Sequence, residues 1–191
     1  MENNIDGNLE QKTINITGQN NKYQMNKLIK ERNKDPKRRE VSKKWSFPEE
    51  YFNYCEQMKI IKTLIVVDKT LIVVDEITQI VTQEINKKIS GYKQQDILKK
   101  TLDVDAFIDF NCVIDKMVEC ELKCRYCQCE MAVLYDITRE MKQWSVDRID
   151  NDKGHNKDNF HLACLDCNLK RRRRTDEKFL FTKQLSIVKK E

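Results

Sequence analysis

Two Cys-x-x-Cys steps, Cys124-Arg-Tyr-Cys127 and Cys164-Leu-Asp-Cys167, constrain this chain more than any other feature. Each step presents two thiolates to one ion, and two of them complete a tetrahedral four-cysteine zinc site. The 36 residues between Cys127 and Cys164 are too many for a zinc-ribbon loop, so the insert must itself fold. Cys120 and Cys129 lie near enough to compete as ligands, whereas Cys55 and Cys112 stand alone, as core cysteines do. Residues 1–21 are polar and carry no apolar segment of the kind a secretory signal needs. The cysteines are therefore expected in a reducing, intracellular compartment, where metal binding prevails over disulfides.

The insert has its own punctuation. Trp144-Ser-Val-Asp147-Arg148-Ile149 alternates like a short strand, Asn151 to Asp158 is turn-rich, and Asn159-Phe-His-Leu-Ala163 alternates again. Cys164 then opens a helix that runs into the arginines. The order is strand, loop, strand, helix, with a cysteine knuckle at each end.

Upstream the texture is different. Residues 1–22 are rich in Asn, Gln and Gly and read as disordered, and residues 23–48 form a basic segment. Within it, Lys27 to Lys44 holds nine basic and three acidic residues. Residues 49–92 read as helical, with Tyr51, Tyr54, Met58, Ile61, Leu64 and Ile65 at helix-like spacing. A tandem copy, Thr63-Leu-Ile-Val-Val-Asp-Lys69 followed by Thr70 to Asp75, extends that helix by two turns or turns back as a hairpin; helix is favoured. Gly91 breaks the pattern, Gln94 to Leu102 resumes it, and Asp109 caps a further helix with Phe110, Val113, Ile114, Met117 and Val118 on one face. A domain boundary is expected near residues 92–105, followed by an α+β module at 93–184 and a tail at 185–191. Charged residues make up 35% of the chain with only four glycines and two prolines, which suits helices better than an all-β fold. No apolar run is long enough to span a membrane.

The second charge cluster, Lys170-Arg171-Arg172-Arg173-Arg174, continues directly from the last cysteine pair. Two basic patches, one joined to the cysteine-rich end, favour a polyanionic partner such as the phosphate backbone of DNA.

At these residues the chain resembles the HNH endonucleases, above all the four-cysteine subgroup in which a zinc knuckle runs into a Cys-Asn step. The matching text is Val-Asp147-Arg148-Ile, then Asn159, then Cys-Leu-Asp-Cys-Asn168. The flanking Gln-Trp-Ser-Val-Asp-Arg-Ile-Asp, Gly-His-Asn and Gly91-Tyr-Lys-Gln-Gln-Asp96 are similar to HNH proteins of large eukaryotic DNA viruses. The resemblance spans roughly residues 91–184. It implies a small ββα-metal fold and metal-dependent hydrolysis of DNA phosphodiester bonds, in the nucleus or cytoplasm of a host cell if the chain is viral. It also implies that Asp147 and Asn168 hold a catalytic Mg2+ or Mn2+, while Asn159 bonds the loop backbone. Hard divalent ions take such oxygen ligands. Lys170 to Arg174 would then clamp phosphates beside the cut.

One position departs from that pattern. The general-base histidine of the family follows the strand aspartate, and here Arg148 stands there. Arginine stays protonated and accepts no proton. Arg148 then binds phosphate, and His155 in the loop is the first candidate base, since an unperturbed imidazole titrates near neutrality. His161, inside the second strand, is the weaker candidate. The alternative is a module that has lost catalysis and only binds nucleic acid.

Overall fold

The computed structural model describes residues 17–19, 21–23, 25–26, 35, 37–40, 48–67 and 75–184. Two compact units divide the chain, Met1–Pro36 and Lys37–Glu191. In the first, Gly18 adopts a φ of +87° and its carbonyl accepts the Lys22 amide at 3.1 Å, opening a short helical turn. The expectations for residues 1–16 and for most of the basic segment lie outside the described residues.

The second unit is α+β. A 3-10 turn at Glu49–Phe52 follows Pro48, and Asn53 then receives the Cys55 amide on its side-chain oxygen at 2.8 Å to start helix α1, Tyr54–Val67. Helix α2, Glu76–Lys99, is capped by Asp75, which accepts the Thr78 amide at 3.2 Å. The first repeat copy enters α1 as far as Val67, and the second is described only at Asp75, the α2 cap; residues 68–74 between them lie outside the described residues. Gly91 does not end a helix. Nothing lies within 4 Å of where its Cβ would be, and α2 runs through it to Lys100, which closes the helix in the left-handed region at φ 58°. A mid-helix glycine costs about 1 kcal/mol, which the burial of Ile77, Ile80, Val81, Ile85 and Ile89 outweighs.

Helix α3, Phe110–Glu119, starts at Asp109, whose carboxylate accepts the Cys112 amide at 2.8 Å, and it buries Val113, Ile114 and Met117. Strands β1, Trp144–Arg148, and β2, Phe160–Cys164, pair antiparallel with Trp144 opposite Cys164 and Asp147 opposite His161. Helix α4, Leu165–Arg171, follows β2 without a loop, and α5 covers Asp176–Gln184.

One apolar cluster joins all of this, from Ile61 and Ile85 through Val113 and Met117 to Trp144, Val146 and Leu162. Polar ties cross it. Gln57 on α1, 1% exposed, donates to the Leu134 carbonyl at 3.0 Å and accepts the Val133 amide at 2.7 Å. Tyr92 on α2 accepts the Val146 amide on its hydroxyl at 3.0 Å. The boundary expected near residues 92–105 therefore falls inside a single compact unit, because the helical region packs directly on the strands. Arg39 belongs to it too, bonded to Glu84 at 2.5 Å. Among the described residues no helix is long and apolar enough to cross a membrane.

A four-cysteine cluster, a buried ion pair and a cationic cleft

The sulfurs of Cys124, Cys127, Cys164 and Cys167 all lie within 4.8 Å of one another. Four Zn–S bonds of about 2.3 Å give a tetrahedron with edges of about 3.8 Å. Cys127 and Cys164 stand 3.8 Å apart. The four sulfurs are thus placed to bind one ion, and thiolates suit zinc. Each knuckle is shaped locally. In the first, the Cys124 amide donates to the Cys129 carbonyl at 2.9 Å, and Gln128 turns the chain in the left-handed region at φ 57°. In the second, Cys164 caps α4, its sulfur accepting the Cys167 amide at 3.5 Å. The Arg125 amide reaches the Leu162 carbonyl at 3.0 Å and locks the first knuckle to β2. Cys129 helps through its backbone, and Cys120, Cys55 and Cys112 stand outside the four. Burial, with the nearby Cys124 thiolate adding to it, pushes the Cys167 thiol up to about 12. A bound divalent cation reverses that balance.

Asp147 and Asn168 come together on one face. Side chains alternate along a strand, so Ser145 and Asp147 share the side of β1 that α4 covers. From α4, Asn168 donates to the Ser145 hydroxyl at 3.0 Å and the Val146 carbonyl at 3.1 Å. Three residues on, Arg171 reaches the Asp147 Oδ1 at 2.6 Å. Arg171 also donates to the Arg148 and Ile149 carbonyls at 2.7 and 2.9 Å. The other Asp147 oxygen, Oδ2, lies 2.5 Å from the Tyr126 hydroxyl, which is also 2.7 Å from Asp176 Oδ1. Burial pushes Asp147 above the usual carboxylate range, while the Tyr126 and Arg171 contacts work against that rise and favour the ionised form.

This arrangement corrects two expectations. Arg171 is not a solvated phosphate clamp: its side chain is 1% exposed and bound to Asp147. Asp147 is not an open metal ligand, because both oxygens are engaged by buried donors, and Asn168 turns its amide nitrogen to β1. Mg2+ keeps several waters and demands near-octahedral space. Asp147 and Asn168, as placed here, do not fit that ion.

The loop between the strands is tied from within. Asn159 accepts the Asp150 amide at 2.8 Å and donates to the Asp150 and Gly154 carbonyls, both at 3.0 Å. His155 is a further correction. It is 3% exposed, with its amide and ring Nδ1 each 2.7 Å from Asp96, and its ring lies 4.7 Å from that of Tyr92. Burial pushes it below the ordinary histidine range. It anchors the loop to α2 rather than facing a substrate. A Cβ on Gly154 would sit 2.4 Å from the Thr101 carbonyl, so that close approach requires glycine. His161 faces the same side as Asp147, with Nε2 3.7 Å from the Asp176 carboxylate.

Outside this pair lies a cleft of about 670 Å³, lined by Lys99, Arg148, the loop Ile149–Asp152 and Arg171–Thr175. Arg148 is half-buried and held by the Lys153 carbonyl at 2.8 Å. Arg172, Arg173 and Arg174 are exposed. Lys170 pairs with Asp166 at 2.7 Å on the helix surface and does not line the cleft. Two carboxylates, Asp150 and Asp152, oppose these cations.

Tyr126 and Asp176 carry much of this architecture without having stood out in the sequence, and Asp96 stood there only as the end of a matching segment, not as the partner of His155. Tyr126 was visible inside its knuckle, but nothing local ties a tyrosine there to an aspartate 21 positions on. No protein-family model, no curated protein and no solved structure matches the chain.

Proposed function

We propose that this chain is a zinc-ordered nucleic-acid-binding module that seats the phosphodiester backbone of DNA in the cleft between the β1–β2 loop and the arginines after α4. One observation carries the reading: Lys99, Arg148, Arg172, Arg173 and Arg174 converge on a single concavity against two carboxylates. Each phosphate neutralised releases counterions, so affinity falls linearly with salt on logarithmic axes, with a slope of about −0.9 per contact. Five cations set a ceiling near −4 to −5 on that slope. The sulfur cluster supports the cleft indirectly, since it fixes where α4 starts and hence where the arginines emerge.

The test is anisotropy of a labelled duplex against the zinc-loaded full chain over a salt series. Arg172→Glu with Arg173→Glu is expected to weaken binding by at least about tenfold and to flatten the slope by roughly two. Salt-independent binding, or binding indifferent to that double substitution, removes the reading.

A second reading is a metal-dependent HNH endonuclease. It is supported by the placement of Asp147 and Asn168 on one face, with Asn159 bracing the loop beside them. Its obstacle is the Arg171 guanidinium on Asp147, together with Arg148 at the base position and the burial of His155. Plasmid nicking with Mg2+ or Mn2+ that vanishes in Asp147→Ala and Asn168→Ala establishes it; intact plasmid with both ions leaves binding alone.

A further inference from the structure

We propose that Arg171 stands in for a divalent cation at Asp147, so that this seam works with an internal guanidinium where the HNH resemblance calls for Mg2+ or Mn2+. For its functional consequence this rests on the DNA-binding reading; the exclusion of the ion stands on geometry alone. The oxygens around Arg171 are the argument. A carboxylate oxygen of Asp147 and the carbonyls of Arg148 and Ile149 converge on NH1 and NH2 at 2.6 to 2.9 Å. A carboxylate with two backbone carbonyls is the type of hard-oxygen set that alkaline-earth ions take from proteins. Here the set is filled by a cation that cannot diffuse away, because it is attached to α4 one turn beyond Asn168.

Three further observations close the position. Tyr126 occupies the remaining Asp147 oxygen. Asn168 presents a donor to β1, as the Val146 carbonyl requires one. The adjoining cleft carries Lys99, Arg148 and Arg172 to Arg174 against two carboxylates, Asp150 and Asp152, so its charge is net positive. Such a surface attracts phosphate and repels the ion.

The test is Mn2+ uptake by the zinc-loaded full chain, read from the electron paramagnetic resonance signal of free Mn2+. Wild type is expected to leave that signal as Asp147→Asn leaves it. Arg171→Gln, checked for retained zinc, is expected to take up one Mn2+ per chain, and Arg171→Gln with Asp147→Asn to lose it again. Uptake by wild type that Asp147→Asn abolishes overturns the proposal, as does a zinc-retaining Arg171→Gln that binds none. Should Arg171→Gln lose zinc, the wild-type titration decides. DNA binding at fixed ionic strength is expected to be no stronger with Mg2+ than without; an Mg2+-dependent gain that Asp147→Asn removes counts against the proposal. Absence of DNA binding with Mn2+ still excluded removes the docking reading and leaves the Arg171 assignment intact.

Discussion

The buried side chains of α1 and α2 are mostly aliphatic, with Gln57, Thr78, Glu84 and Asp96 the exceptions, whereas the layer from Leu122 to Phe179 is built around the buried Asp147–Arg171 ion pair. Ile61 and Ile85 are fully buried, and Met58, Leu64, Ile80 and Val81 lie in the same apolar cluster. In the second layer, Asp147, Arg171, His155, Asn159 and Asp176 all lie inside, each with named partners. Apolar burial is non-directional and tolerates small shifts. A buried charge is tolerated only in its designated geometry, and removing one partner of such a pair typically costs about 3–5 kcal/mol. A layer so built needs something other than area to hold it, and the four-cysteine cluster, placed to bind one ion, would supply a directional clamp between its first knuckle and α4.

The largest expected effect breaks that contrast from the metal side. Structural zinc contributes on the order of 10–16 kcal/mol in small zinc peptides, comparable with the whole stability of a domain at about 5–15 kcal/mol. Replacing Cys164 and Cys167 by serine is expected to loosen the second layer while the apolar pairing of α1 and α2 persists in part. Trp144, 1% exposed on β1, is the reporter, in a Trp45→Phe background so that it emits alone. Its emission should shift to the red, with much of the helical circular dichroism retained. Unchanged Trp144 emission in zinc-free protein would show that apolar packing holds both layers, and the distinction drawn above would fail.

The same contrast explains what was legible in the sequence. The knuckles, the alternation of β1 and β2 and the Asp109 cap are local signals, and the strands and α3 appear where those signals put them. Gly91 misleads because a helix tolerates an exposed glycine when its other face is buried, as it is here through Ile85 and Ile89. Arg171 misleads more instructively. In a run of five basic residues every member reads as solvated, yet the step from Asn168 to Arg171 is one turn and points both at β1. His155 reads as a free imidazole only until Asp96, 59 positions upstream, is folded against it. Long-range pairing decides which charges are functional and which are structural, and no short window of sequence contains it.

A smaller effect separates the two histidine environments from the arginine one. Asp96 is fully buried and serves the His155 amide and ring at once. Asp96→Ala orphans both donors and is expected to cost about 1–3 kcal/mol, read as a lowered urea midpoint at constant slope. Since the loop carries Asp150 to Asp152 at the cleft rim, the proposed DNA docking should weaken modestly alongside. His161→Gln, at a half-buried site with one long ionic contact, is expected to change stability by less than Asp96→Ala. Equal losses would mean that His161 and Asp176 form a second anchor.

A pH-dependent effect sits where the two layers touch. Lys88 on α2 bonds the Trp144 carbonyl and holds its ammonium 4.7 Å from the Trp144 ring centre. Burial, and next the Arg39 guanidinium, push its pKa down to about 7, against a partial counterweight from Glu84. The sign follows from proton counting. Below about 7 the amine is charged folded and unfolded alike. Between about 7 and its ordinary 10.5 the unfolded chain binds a proton that the folded one does not, so stability from this group rises with pH. The gain is at most about 1.4 kcal/mol per pH unit. Zinc-loaded wild type and Lys88→Met share every cysteine and tyrosine, so differencing their melting temperatures at pH 7 and 9 isolates Lys88. Wild type should gain more than the variant over that interval. Parallel behaviour would place the Lys88 amine in water, and the seam between the apolar and the charged layers would then be wet rather than dry.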